Sequence, residues 1–492
     1  MGKISEKGGG AASSYILLMA AQLVTAILGM IVTKLLSVNF SLQEYGTYSQ
    51  AILVTSTMSS ASILGLTNAT NYFYNRTSNI AEQKKYISTI FSLQYIAGIL
   101  AASAILVIRK PVSVYFSNEE LEVVLRVIAA TPLLTNLVAM YQNLFVSIGR
   151  AKTIAFRNLI VSALRLLAVD VACFVTESIE TVLIVILFLD IAQVGYFSLS
   201  FSKEKFLISP KGTDLSLAKE ILAFSIPMAV YVLTNALTRD IDKYVISIFS
   251  NTEVMAIYSN AARILPFDML TASLITVLIP IITRLIHQKN YREAQRLFKI
   301  YLRMGYTLTY IFVGGAIAVA HHLMVFLYDA KYISGLPVFI VYLFVDMIRF
   351  ANVTTILSGA GKTKILMRIS IIVLGANLVL NVISYQILGM IGPALTTLGL
   401  TILMTALLLN YGAKELKTRI AGLFDFKEII RVGCEIVLVG GCVHYLADFL
   451  VGQLGVPLFA TLAISYGAYL TVLFCLNHQQ ILETFNELNQ YR

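Results

Sequence analysis

Windows of about 20 mostly apolar residues, the length that crosses a bilayer core as a helix, recur along the whole chain and predict fourteen spans. The first six lie near 13–37, 46–69, 87–108, 121–146, 154–175 and 179–201. Six more follow near 220–242, 254–280, 303–326, 334–357, 366–387 and 389–411, and a last pair near 429–449 and 455–477. The pattern predicts an all-α polytopic membrane protein. The apolar run from Ser14 is too long for the core of a cleavable signal, and no small-residue cleavage site ends it.

The pattern also repeats. Tyr48-Ser49-Gln50-Ala51 recurs as Tyr258-Ser259-Asn260-Ala261, and Gly149-Arg150-Ala151-Lys152-Thr153 as Gly359-Ala360-Gly361-Lys362-Thr363, both at an offset of 210. A repeat unit of six spans is even-numbered, so both units run the same way through the membrane, related by an axis along its normal. The expected architecture is two six-helix lobes facing a central cavity, 1–211 and 212–412, with an appended pair of spans and a cytoplasmic tail in 413–492.

Composition agrees with a lipid-facing surface. The chain of 492 residues is 58% hydrophobic and 13% charged, about half the charge content of ordinary soluble domains. Disorder and a large soluble enzyme domain are excluded. The net charge of +10 is read by position. Arg150, Lys152, Arg284, Lys289, Arg292, Lys362 and Lys364 all fall in loops on the N-terminal side, whereas the opposite loops carry mainly Arg109, Lys110 and Lys331. Both termini are therefore expected on the cytoplasmic side of the cell membrane. The basic excess implies anionic membrane lipids as partners and no nucleic acid. An amphipathic stretch from Gln288 to Lys299 is expected along that surface.

Chemistry-bearing motifs are few. Gly359-Ala360-Gly361-Lys362-Thr363 lacks the first glycine of a phosphate loop, Ile356 standing there, and no strand precedes it. His321-His322 is an adjacent pair without the i,i+4 spacing of a zinc site. Cys173, Cys434, Cys442 and Cys475 lie in apolar segments and read as small core residues. No nucleophile with a His base, no metal site and no cofactor is expected, and the chain is not read as an enzyme.

Ionisable residues inside spans are the sharper signal, because each is costly in hydrocarbon unless it faces protein or water. Arg263 and Arg165 lie centrally in their spans, with no opposite charge at i±3 or i±4; Asp268 and Asp170 are five positions on, about 140° around the helix. Phosphate suits such a guanidinium, which offers a bidentate fork and keeps its charge. A carboxylate on another helix is the competing partner. Arg239, Lys34 and Lys243 complete the substrate-binding candidates, although the two lysines lie near outer ends where snorkelling is the alternative. Asp268, Asp170 and Asp242 either carry a coupling proton or sodium ion or neutralise the basic residues. Asp346 and Arg349, three apart, fit an internal ion pair. Asp190, Glu435, His444 and Asp448 also fall within spans.

Several stretches resemble the bacterial polysaccharide flippases, the Wzx-like branch of the superfamily that also holds MATE drug exporters and the lipid II flippase. They are Glu44-Tyr45-Gly46-Thr47-Tyr48-Ser49, Phe224-Ser225-Ile226-Pro227, Arg239-Asp240-Ile241-Asp242-Lys243, and Ile257 to Arg263 with Pro280. The resemblance implies a MATE-like fold and the transfer of an undecaprenyl-diphosphate-linked oligosaccharide to the outer leaflet by alternating access, for capsule or exopolysaccharide. Polysaccharide polymerase and glycosyltransferases are the protein partners it implies. Span 2 departs from the lipid II flippases, which usually place an Arg there. Span 1 departs from MATE exporters in offering Lys34 and no carboxylate. An ion-coupled exporter of organic cations and a lipid II flippase are the alternatives.

Overall fold

The computed structural model describes residues 8–489 apart from Ser78, Gly149, Glu177, 204–211, 269–277, 279–280 and Asn352; residues 8–20, 151–152, 202–203, 268, 363 and 488–489 are described as backbone only. Among the described residues every regular element is helical. The first ten are α1 (Gly8–Asn39), α2 (Leu42–Ser62), α3 (Leu66–Arg76), α4 (Ile80–Tyr115), α5 (Glu120–Val127), α6 (Thr131–Ser147), α7 (Ala151–Thr176), α8 (Ile179–Lys203), α9 (Leu215–Phe249) and α10 (Thr252–Ala261). A single 3₁₀ turn comes next at Pro266–Asp268. Then come α11 (Tyr291–Ala318), α12 (Ala320–Leu327), α13 (Leu336–Ile348), α14 (Thr355–Gly359), α15 (Thr363–Leu388), α16 (Ile391–Glu415), α17 (Phe426–Gly452) and α18 (Leu458–Asn489).

Among the described residues, 11 helices are long and apolar enough to span a membrane, or 12 if α11 and α12, bent by 83° at Val319, form one span. Among the described residues the expected fourteen is thus not confirmed. The two spans not found among them are the second and the eighth. In the second, α2 buries Thr47, Ser49, Gln50 and Thr55, and the helix breaks at Ile63–Gly65 before α3. In the eighth, α10 stops at Ala261, and much of the segment up to Pro280 lies outside the described residues. The amphipathic stretch 288–299 is not a separate surface helix: from Tyr291 it is continuous with α11, and Ala294, Leu297 and Phe298 are buried.

Helix starts keep the 210-residue interval. α2 begins at Leu42 and α10 at Thr252; α7 and α15, and α8 and α16, begin 212 apart. Even the caps correspond. Ser41 Oγ accepts the amide of Glu44 at 3.2 Å, and Asn251, 210 later, accepts that of Val254 at 2.8 Å. A side-chain oxygen at this position satisfies an amide that the helix cannot.

The chain divides into two compact units, Met1–Ala256 and Ile257–Arg492. This boundary differs from the lobe boundary expected at 211/212, because α9 packs against α2, α3 and α4. Within the first unit, Leu66, Phe73, Phe91, Tyr141, Phe145, Phe197 and Phe201 build one core from α3, α4, α6 and α8. A second core joins α2, α4 and α5 through Ala51, Val54, Ile105, Leu121 and Leu125. In the second unit, α11 is the central helix. Its Gly314 and Gly315 leave no room for a Cβ, which would stand 2.5 Å from Ile436 and 2.7 Å from Tyr466 and Tyr469. Tyr466 also donates to the carbonyl of Phe312 at 2.9 Å. The final pair α17 and α18 thus packs closely on α11.

Cys173 is buried, but Cys434, Cys442 and Cys475 are exposed. Three of the four expected core cysteines thus sit on outward faces, where a small apolar side chain suits lipid as well as it suits a core.

Candidate functional site

Two groups of charged residues in the first unit hold candidates read from the sequence. On α7 and α8, Arg165 donates to Asp190 at 2.8 Å, and Gln193 donates to the same oxygen at 2.8 Å. Arg157, about two turns nearer the start of α7, donates to Gln193 Oε1 and, at 3.0 Å, to Asn158. Its guanidinium lies 4.1 Å over the ring of Phe197. Arg165 is thus paired with a carboxylate on the neighbouring helix, the competing arrangement noted from sequence, although its side chain stays 38% exposed. Asp170 is exposed on the same helix.

On α9, Asp240 is buried and bridges Lys243 at 2.7 Å and Arg239 at 3.4 Å. Arg239 keeps more than half of its side chain exposed. Asp242 is buried and accepts the amide of Lys243 at 2.8 Å. Beside them Tyr244 donates to Thr57 of α2 at 2.7 Å. Lys34 of α1 is half-buried. The structure therefore gathers Arg239, Asp240, Asp242 and Lys243 on one turn of α9, and Arg165 with Asp190 on another helix pair.

The broken second span of this unit is held by polar side chains. Leu64 and Gly65 both have positive φ, 47° and 66°. A Cβ on Gly65 would stand 2.4 Å from the carbonyl of Ser225 on α9, so glycine permits both the turn and the approach. Gln94 donates to the carbonyl of Ser62 at 3.3 Å, and Asn136 to Ser59 O and Ser62 Oγ at 2.9 and 3.0 Å. Non-helical backbone at membrane depth persists only where protein or a wet cavity satisfies it.

The second unit repeats this device. After Ala261 the backbone leaves the helix, and the amide of Leu265 donates to Asp346 Oδ2 at 3.1 Å. Arg263 lies in this unwound stretch and is half-buried; its charge reaches the buried Tyr328. Sequence placed Arg263 mid-helix, whereas it follows a helix end. Among the described residues no ion pair joins Asp346 to Arg349; the carboxylate serves the break instead. The side chain of Asp268 lies outside the described residues.

Two further clusters join residues whose pairing the sequence does not show. Arg303 of α11 donates to Glu487 of α18 at 2.8 Å, while Thr307 donates to Glu428 of α17 at 3.4 Å. Arg303 stands at the edge of the span expected over 303–326, and only the length of α11 sets it within a helix. Asp448 of α17 lies 3.6 Å from His322 and 3.7 Å from His444. Among the described residues no three His, Cys, Asp or Glu side chains are grouped to hold a metal.

Solved structures share this fold. The lipid II flippase MurJ, in an inward closed conformation, superposes with a TM-score of 0.74 at 17% identity, covering 95% of this chain and all of that one. An inward-facing multidrug resistance MATE family transporter of the MOP superfamily gives 0.66 at 12% identity, over 82% of this chain and 98% of that one. The MATE multidrug transporter DinF-BH, solved as a complex, gives 0.59 at 17% identity, over 85% and 99%. No protein of curated function matches the sequence. The fold is thus that of multi-pass membrane transporters rather than of enzymes. A sequence model described as "Polysaccharide biosynthesis protein" matches residues 18–337, well over half of the chain, which accordingly belongs to that polysaccharide biosynthesis family.

Proposed function

We propose that this protein is a flippase that moves an undecaprenyl-diphosphate-linked oligosaccharide across the cytoplasmic membrane for surface polysaccharide assembly. Family membership and a transporter fold support a lipid-linked substrate. The observation that carries the reading is the unwound segment around Arg263, where a guanidinium stands at a break in the second span of its unit. A basic side chain beside unwound backbone within a transporter fold is an anion-seeking arrangement. Arg263, Arg165, Arg239, Lys34 and Lys243 are the proposed diphosphate contacts, with Asp268, Asp170 and Asp242 as proposed coupling residues. In this reading both termini are cytoplasmic, the lobes alternate between inward and outward access, and polymerase and glycosyltransferases act beside it.

Arg263→Ala tests the proposal. It should abolish surface polysaccharide while membrane levels hold, and Arg263→Lys should retain more activity; normal surface polysaccharide in the alanine variant overturns it. Reconstituted vesicles containing only this protein should flip the lipid-linked glycan, which a mere scaffold of a polymerising complex would not. A second reading, a lipid II flippase, is favoured by one observation: the MurJ superposition covers 95% of this chain and the MATE superposition 82%. Complementation of a lipid II flippase deletion separates the two. Resistance to cationic drugs on overexpression would instead point to an exporter of organic cations.

A further inference from the structure

The outward face of α7 is an unbroken apolar stripe. Phe156, Ile160, Leu164, Leu167, Val171 and Val175 are all exposed, at spacings of three and four residues that hold one face of a helix. From Phe156 to Val175 the stripe rises about 29 Å at 1.5 Å per residue, close to the ~30 Å of a hydrocarbon core. Arg157 therefore sits at the edge of that core, at the level of phospholipid phosphates, in the inner leaflet on the proposed orientation.

At this end of the stripe a cavity of 690 Å³ opens between α7 and α8, with Ile160, Leu164, Leu189 and Tyr196 among its walls. Thr153, Arg157, Gln193 and Tyr196 are the polar residues of its lining, and Arg157 is the charged one. Arg157 is 7% exposed, and among the described residues the groups it touches are Asn158, Gln193 and the face of Phe197, all neutral. Asp190 acts on it only through space and is bonded to Arg165. A guanidinium at a hydrocarbon boundary with only neutral groups in contact lacks a bonded counter-charge, and phosphate supplies one in bidentate form.

We infer that this cavity is a binding site for an anionic phospholipid, its phosphate on Arg157 and one acyl chain along Ile160 and Leu164. The depth of the cavity favours this occupant. From Arg157 to Leu164 the helix rises about 10 Å, within the ~15 Å of a single leaflet, whereas a polyprenyl tail extends far beyond one leaflet. None of the proposed diphosphate contacts lines this cavity, although Gln193 and Asp190 link Arg157 to Arg165, and the inference does not depend on what the protein transports.

Native mass spectrometry of the purified full chain, with phosphatidylglycerol, phosphatidylcholine or undecaprenyl phosphate added in turn, tests the inference. Phosphatidylglycerol should be retained at least tenfold over phosphatidylcholine. Arg157→Gln should remove that preference and Arg157→Lys should keep part of it. Ile160→Trp fills the cavity from an exposed position, leaves the packed core untouched, and should reduce retention of phosphatidylglycerol at least tenfold. Equal retention of the two phospholipids, wild-type retention in Ile160→Trp, or preference for undecaprenyl phosphate each overturns the assignment.

Discussion

Asn136 and Asp346 stand 210 residues apart, the interval of the internal repeat, and each serves the broken second span of its own repeat. Asn136 donates to the last turn of α2, at Ser59 and Ser62; Asp346 accepts from Leu265, beyond the end of α10. The two units share a task while exchanging donor for acceptor. Asn136→Leu should cost about 1–3 kcal/mol, the penalty for stranding buried polar groups. Asp346→Asn, which keeps an acceptor oxygen, should cost less than Asp346→Leu. Thermal unfolding in detergent checks both, and equal losses for Asn and Leu at 346 would contradict the acceptor role.

Arg165 and Asp190 are predicted to be coupled. Asp190 is buried, so Arg165→Met leaves its carboxylate without its counter-charge, a change of about 3 kcal/mol in fully buried pairs. Partial exposure of the guanidinium lowers the expected cost to about 1–2 kcal/mol. The double variant with Asp190→Leu should recover part of the loss. A double-mutant cycle on thermal stability measures the coupling, and additive losses would count against it.

At Gly46 an added Cβ would stand 2.0 Å from the carbonyl oxygen of Thr252, so the start of α2 touches the start of α10 backbone to backbone. Gly46→Ala is expected to destabilise by about 1–3 kcal/mol, as overpacking does. Yield of folded protein by fluorescence-detected size exclusion reads the loss.

Replacing Gly315 with Leu drives a large side chain into Tyr466 and Tyr469. The expected result is release of α17 and α18 from α11, seen as faster proteolysis after residue 415, with α1 to α9 unaffected. Tyr466→Phe is a milder probe, removing one hydrogen bond to Phe312 worth about 1 kcal/mol.

The start of α9 should respond to acid. Asp214 accepts the side chain and amide of Ser216, and these bonds hold its carboxyl below the ordinary range. A depressed carboxyl contributes stability that is present above its unfolded value, near 3.9, and is lost as pH falls through the folded one. Amide exchange at 215–218 should accelerate in that window. Asp214→Asn keeps the cap and should abolish the pH response.

Much of the fold was legible because bilayer spans and repeats are written in local composition. The interval linking Tyr48 to Tyr258 also sets the helix starts at Leu42 and Thr252. The breaks were hidden because hydropathy does not distinguish an apolar helix from an apolar stretch that unwinds: Arg263-Ile264-Leu265 reads as helix. Gly65 was a visible cue, but its need for positive φ depends on the nearby carbonyl of Ser225, which is remote in sequence. Partners across helices were equally hidden. Arg165 lacks an acid on its own face, and nothing local assigns it Asp190, 25 positions on. Arg157 stands near the edge of the span expected over 154–175, where a basic residue is ordinary; only Phe197 and the cavity beside it set it apart.

The hydrogen bond from Leu265 to Asp346 closes a loop of 81 residues, and that separation bears on how the protein is made. At about 5–20 residues per second, a ribosome needs roughly 4–16 s to deliver Asp346 after Leu265 has emerged. Throughout that interval the joint must be kept wet or shielded by the insertion machinery, because its permanent partner has yet to be translated.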